Sequence, residues 1–405
     1  MLRLFNSLGN QFETFNPPHS KIVTIFTCGP SIYQKAHIGN FRTFLFEDIL
    51  VRYLEYSGYK VMRGMNFTDI EEKAIDEAKK RKIDVKRLTE ENIAEFLKEM
   101  HLLKMKVPEY LPKASESVGE AVQIIKRLVE AGIAYWHQGN VYFDPLKFPG
   151  FGKLYGLDMT KWPRLKRRFH KDTYPGIQWN LGDFILWHGD EKGQSVSWDT
   201  EIGRGRPAWN IQDPAMIRPY FHETLAIYCG GIDNLYRHHD YTLSILESIT
   251  HYPLAKFWLH CHHLSVKGKK MSKSKGNVYY TDTLLSQGYT AGEIRFFLIY
   301  GHYRTRLNYS PSAMIKATAK LRGLKIIVSQ IKKKTGDESD PDAKLAQQIK
   351  RTFSEGMDSD LNVKEALDGL HNILSGLELS RLKANEASGI MAVLREIDGV
   401  VKIIF

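Results

Sequence analysis

An α/β fold built on a parallel sheet is predicted by three features near the start of the 405-residue chain. The first is "KIVTIFTC", residues 21–28, a short run of β-branched and aromatic residues that reads as a buried strand. The second is the glycine–proline turn after it and then "NFRTFLFEDILVRYLEYSGY", whose apolar residues recur at helical spacing and stop near Gly58. The third is "KVMRGMNFTD", residues 60–69, which reads as the next strand. Strand, glycine turn, helix, strand is a βαβ unit, and such units build parallel sheets. The first turn holds Gly29 and Gly39 and opens on a helix N-terminus, where anions bind readily.

The later elements follow in order. Helical patterns fill residues 71–132. "AYWHQGNVYFD", residues 134–144, reads as a hairpin turning at Gln138-Gly139-Asn140. Residues 145–208 are rich in Gly, Pro and Trp and poor in periodicity, so they read as an insertion between two halves of a sheet. "TLAIYCGGID", 224–233, resumes the strand-then-glycine pattern, "HHDYTLSILESI" is a helix, and "AKFWLHCHHLSV", 255–266, is one more strand. From residue 311 everything reads as helix, interrupted by the acidic loop "TGDESDPDA", and no internal repeat is visible.

Composition bounds the function. A chain of this length is expected to form two or three domains, and 43% hydrophobic with 25% charged residues is ordinary globular composition. No apolar run is long enough to cross a bilayer, and "MLRLFNSLGNQ" lacks the apolar core of a signal peptide. The 3 dispersed cysteines make no disulfide framework, so a reducing, cytoplasmic location is expected. A formal net charge of +11 suggests a polyanionic partner, with nucleic acid as the first candidate.

"GKKMSKSKGN", residues 268–277, is the most informative stretch. Alone, a lysine-rich loop is usually a solvated surface. Here it is paired with "HIGN", 37–40, at the mouth of the parallel sheet. The pair suits activation of an acid by ATP. Carboxylate attack on the α-phosphate builds negative charge, which Lys270 and Lys273 would neutralise while His37 and backbone N–H groups hold the phosphates. Mg²⁺ is expected to accompany the ATP.

"HIGN" and "KMSKS" resemble the HIGH and KMSKS signatures of class I aminoacyl-tRNA synthetases. The finer resemblance is to the cysteinyl-tRNA synthetase family. It is carried by "TCGPSIY", "NFTDIEEKAI", "VYFDPLKFPGFGKLYG", "GRGRPAWNIQDPAM" and "GGIDNLYRHHD", which with "GKKMSKSKGN" follow the family's order over residues 20–310. The tail "GMDSDLNVKEALDGL" is similar to the family's helix-bundle domain. The resemblance implies a Rossmann-like parallel sheet in halves 1–100 and 206–310, an insertion at 101–205, and an α-helical bundle at 311–405. It implies a ligase that forms an aminoacyl-adenylate from ATP and cysteine or a related amino acid and passes the aminoacyl group to tRNA. The expected catalytic residues are His37, Asn40, Lys270 and Lys273. The nucleotide site adds Gly39, Gly230, Asp233 and His260, with His263 a further neighbour, and the amino-acid pocket takes Cys28, Thr68, Trp209, Asp213 and His238.

Departures from the family pattern fall on its zinc site, where zinc is held by Cys, Cys, His and Glu and binds the substrate thiolate. Cys28 matches the first cysteine and His238 the histidine, but Asp213 replaces the second cysteine and Thr242 the glutamate. Tyr228 stands where the family has a histidine, and Asn40 replaces the second histidine of HIGH. Two readings stay open. In one, Cys28, Asp213 and His238 hold zinc and leave a fourth position to substrate. In the other the pocket is metal-free and Asp213 meets a polar or cationic side chain. In the cluster His260-Cys261-His262-His263, strand alternation sends neighbours to opposite faces, which argues against a metal there. "RLKRRFHK", 164–171, is a basic patch that would meet nucleic-acid phosphates or simply be solvated. The family carries an anticodon-binding domain after the bundle, whereas this chain ends at "GVVKIIF", so recognition without that domain is expected. A related ligase of mycothiol synthesis, which joins cysteine to an amino sugar, gives the alternative of a small-amine acceptor. A non-catalytic nucleotide- or RNA-binding paralogue is the remaining alternative.

Overall fold

The computed structural model describes residues 1–16, 21–161, 182–190, 196–235, 237–271, 276–337, 340 and 343–405. Its centre is a four-stranded sheet in the order Ala255–Cys261, Leu225–Gly231, Ile22–Thr27, Lys60–Met65, with every pair parallel. The helix Ile38–Tyr56 carries the chain from the third of these to the fourth. The helix His238–Thr250 joins the second to the first. The two crossovers leave the adjacent strands Ile22–Thr27 and Leu225–Gly231 in opposite directions. A crevice must therefore open beyond their carboxyl ends, and in open α/β sheets ligands bind at that switch point. The strands are apolar because both faces are covered: Val23, Ile25, Phe26, Ile227 and Leu259 are fully buried.

The segment 255–266 is not the single strand its composition predicts. Ala255–Cys261 stays in the parallel sheet, while Leu264–Val266 joins a second sheet with Leu307–Tyr309 and Lys269–Lys270. The break falls where Arg42 of the first helix takes the His262 carbonyl at 3.2 Å and the His262 N–H is given to the Tyr303 carbonyl at 2.8 Å. Those partners lie far away in sequence, so a local pattern cannot show them.

Between the halves, the helix Val118–Glu130 packs near an antiparallel sheet of Ala134–His137, Asn140–Phe143, Phe184–Gly189 and Gly205–Pro207. The expected hairpin is present, but its turn has two residues rather than three. Gln138 and Gly139 take φ of 49° and 74°, and His137 pairs with Asn140. The basic run 164–171 lies outside the described residues.

The C-terminal region consists of the helices Pro311–Lys332, Lys344–Asp358, Val363–Ser375 and Ala384–Val401. It is tied to the helix Ile38–Tyr56 and to the N-terminal hairpin by buried polar contacts. Arg295 bonds Asp48 at 2.6 Å and the Val401 carbonyl at 2.8 Å, and Asp360 accepts from Tyr303, Arg304 and the Phe5 N–H at 2.7, 2.6 and 2.9 Å. No helix among the described residues is long and apolar enough to cross a membrane.

Candidate active site

A cavity of about 340 Å³ opens at the switch point. Its walls include Cys28, His37, Gly39, Asn40, Thr68 and Trp209, together with Asp233, His238, His263 and Met271. Most of the residues expected from the sequence are thus gathered in one space. Gly230 lies at the end of its strand beside the cavity-lining Gly231. His260 is turned away, buried against Ser7 and His239. Lys270 belongs to the strand Lys269–Lys270, but its side chain is not among those described, and Lys273 lies outside the described residues.

At one end of the cavity stands the N-terminus of the helix Ile38–Tyr56. Its cap is His37, and the box is reciprocal: Asn40 N–H donates to His37 Nδ1 at 3.1 Å, and His37 N–H donates to Asn40 Oδ1 at 3.0 Å. Because Nδ1 accepts, the neutral ring carries its proton on Nε2. Asn40 thereby acquires a local role, fixing the histidine and the first turn together. Gly39 is required by closeness, since a Cβ there would lie 3.0 Å from His37 Cε1 and 3.8 Å from Met271 Sδ. Gly29 is required more strictly, because its Cβ would sit 1.9 Å from the Asn66 carbonyl oxygen. The chain that follows residue 277 is bonded to the same helix start: Ile38 N–H donates to the Tyr279 carbonyl at 3.0 Å, and Lys35 Nζ reaches Asp282 at 2.9 Å.

At the other end lies a buried polar cluster centred on Asp213. The helix Trp209–Ile217 presents Asp213 to the sheet. Its Oδ1 accepts from Asn66 Nδ2 at 3.0 Å. Its Oδ2 accepts from Tyr228 OH at 3.1 Å, lies 2.9 Å from His238 Nε2, and has the Cys28 thiol at 3.7 Å. Trp209 stacks on His238 with centroids 4.1 Å apart. Cys28, Asp213 and His238 each offer one ligand atom, all within 4.8 Å of one another. Burial, and then the neighbouring Asp213, push the Cys28 thiol well above its usual range, and the same causes raise the Tyr228 phenol. Asp213 is 1% exposed and Tyr228 fully buried, so neither lines the cavity.

Asn66 was not singled out from the sequence, yet it binds both the Gly29 N–H at 2.8 Å and Asp213. The available signal was its place at the end of a strand neighbouring the glycine turn. Lys35 and Lys73, also in the cavity wall, gave no signal beyond their charge.

Comparison with known proteins gives a consistent picture. The family model described as the tRNA synthetases class I (C) catalytic domain matches residues 14–319. A cysteine–tRNA ligase of Chlamydia pneumoniae is 34% identical over 413 aligned positions, covering 100% of this chain and 86% of that protein. A cysteine–tRNA ligase of Leptospira interrogans is 36% identical over 377, covering 90% of this chain and 78% of that protein. Among solved structures, the Agrobacterium radiobacter LeuRS in a ternary complex with tRNA and LeuAMS superposes with a TM-score of 0.68 at 11% identity, covering 96% of this chain and 85% of its own. The Mycobacterium tuberculosis methionyl-tRNA synthetase bound by methionyl-adenylate gives 0.64 at 13% identity, covering 94% and 92%. At these identities the structural likeness speaks for the fold.

Proposed function

The chain belongs to the cysteine-type class I tRNA synthetases and is a ligase, and from that premise we propose that it joins an amino acid to ATP in this cavity and transfers the aminoacyl group to tRNA in the cytoplasm. The observation that carries this reading is the single space linking an anion-binding helix N-terminus to an amino-acid-sized polar pocket.

In the first step the amino-acid carboxylate attacks the α-phosphate and pyrophosphate leaves. His37 Nε2–H and the first-turn N–H groups hold phosphate oxygens, and Asn40 keeps the imidazole in its donating tautomer. Lys270 and Lys273 meet the charge that develops on the transferring phosphorus oxygens. Gly39, Gly230 and Asp233 border the nucleotide, with His263 beside Asp233 at 4.0 Å, and Mg²⁺ enters with ATP. His260 serves from behind the wall, holding His239 rather than the nucleotide. Cys28, Thr68, Trp209 and His238 surround the amino-acid side chain, and Asp213 holds Cys28 and His238 from behind. In the second step the aminoacyl group passes to an acceptor hydroxyl of tRNA. The excess of 57 Lys and Arg over 46 Asp and Glu favours such a polyanion.

The zinc that the family pattern implies fits the donors poorly. The trio converges, but its members are bonded to one another. If His238 ligated through Nε2, its proton would move to Nδ1, which has no hydrogen-bond partner among the described residues. Metal-binding histidines usually give that second N–H to an acceptor. Thr242 is no fourth ligand, since its hydroxyl donates to the His238 carbonyl at 3.0 Å. Every step above therefore stands on the chain's own groups and Mg-ATP.

The test is a single-turnover measurement of adenylate formation with Lys273→Ala. The account expects the rate to fall about 100-fold or more, as for loss of a group acting on transition-state charge, with far less change in ATP affinity. An unchanged rate sinks the assignment of this loop.

A further inference from the structure

We propose that the amino-acid pocket reads its substrate through hydrogen bonds without a metal ion, and that Tyr228 is the specificity-determining residue that makes it so. This rests on the activation reading and names its substrate class: a small amino acid whose side chain ends in a hydroxyl or a thiol.

The Tyr228 ring is fixed by stacking on Trp258, with centroids 4.6 Å apart and planes inclined by 16°, and by Phe26 at 5.5 Å. This packing carries the hydroxyl to Asp213 Oδ2 at 3.1 Å, with the Thr242 side chain beside the phenol. The phenol oxygen thus stands beside residues 213 and 242, the two ligand positions where this chain departs from the zinc-binding pattern. The replacements work as a set: a smaller residue at 242 makes room, a phenol at 228 fills it, and a carboxylate at 213 takes the phenol proton. Asn66, Tyr228 and His238 then supply Asp213 with a donor on each side. A carboxylate so satisfied needs no cation.

The cluster also says what the pocket accepts. Asp213 is 1% exposed and carries its donors already, so it is not open to a cationic side chain, and the carboxylate in the cavity wall, Asp233, is the one that borders the nucleotide. The side chains facing the substrate are those of Cys28, Thr68, Trp209 and His238. The polar groups that Cys28 and Thr68 bring to the wall are a neutral thiol and a neutral hydroxyl, which suit a side chain that itself ends in a hydroxyl or a thiol, and Trp209 over the imidazole limits its size. Such a pocket separates an O–H from an S–H only weakly, by about 100-fold or less.

The experiment pairs metal analysis of the purified full chain with ATP–pyrophosphate exchange, with and without a zinc chelator at constant excess Mg²⁺. The expected result is zinc well below one per chain, exchange unaffected by chelation, and activity with both serine and cysteine. Tyr228→Phe keeps the ring stack and removes only the hydroxyl. It is expected to raise KM for the amino acid about tenfold, the effect of unbalancing a buried carboxylate, with KM for ATP unchanged. One tightly held zinc per chain whose removal stops exchange would overturn the proposal, as would an unchanged amino-acid KM in Tyr228→Phe. Should no amino acid support exchange, the activation reading fails, and the zinc content alone then decides: substoichiometric metal upholds the metal-free cluster, one equivalent overturns it.

Discussion

Gly39 fixes the spacing on which the nucleotide end depends. The Cβ of an alanine there would lie 3.0 Å from His37 Cε1 and 3.1 Å from Nδ1, tighter than the ring tolerates without moving. Gly39→Ala therefore shifts the imidazole and its Nε2 proton relative to the phosphates. Misplacing a positioning group by a fraction of an ångström is expected to slow adenylate formation by about 10- to 100-fold. Thermal stability should change little, because the half-buried Gly39 lies in the first turn of a helix, where alanine is the better helix former. Stopped-flow formation of adenylate beside a melting curve checks both, and equal rates for the variant and its parent would place the histidine elsewhere. The surroundings of Cys28 bear on its role in a similar way. Sequence alone left it between metal ligand and pocket wall. The structure gives it a nearly buried place, a thiol held protonated by burial and by Asp213, and one weak sulfur contact. Nothing in the residue type announced this, because Asp213 arrives from 185 positions away.

At the scale of elements, the βαβ unit was legible because periodicity and glycine placement are local properties. The break after Cys261 was not, because it depends on Arg42, which binds the carbonyls of His262, Leu298, His302 and Thr305 in one buried cluster. The histidine-rich segment was misleading for a related reason. His260 Nε2 meets His239 Nδ1 at 2.8 Å and His260 Nδ1 meets Ser7 Oγ at 2.7 Å, so the side chain joins the strand Ala255–Cys261 to a helix and to the N-terminal hairpin. Burial lowers the His260 pKa to about 3 and that of His239 well below its usual range. The unfolded chain takes up this proton below about pH 6.5 and the native protein does not, so stability is present above that pH and is lost as pH falls toward 3. His260→Gln removes the effect. It should be less stable than the parent at pH 8, and the gap should shrink by about 2 kcal/mol by pH 5, since one group contributes about 1.4 kcal/mol per pH unit. Urea melts at both pH values measure this; a gap that stays constant would show that the histidine takes up its proton alike in the native and unfolded states.

The whole molecule places two half-sheets so that their crossovers diverge, and the cavity is the consequence. The helical region is fastened to that catalytic layer through Arg295 and Asp360, close to the segment Arg42 holds, so its position is coupled to the helix that His37 caps. The net charge of +11 surrounds this arrangement with a field suited to nucleic acid. Overall class, signatures and helical tail could be read from sequence because each is written in contiguous residues. The character of the amino-acid pocket could not, because it is assembled from residues 28, 66, 213, 228 and 238 and depends on which atoms share protons. The central claim is that this pocket and the His37-capped helix together activate an amino acid. ATP–pyrophosphate exchange across a panel of the twenty amino acids tests it most directly. The account predicts exchange that depends on a small hydroxyl- or thiol-bearing amino acid and is absent with cationic ones. Exchange with none of the panel, or with arginine and lysine alone, would contradict it.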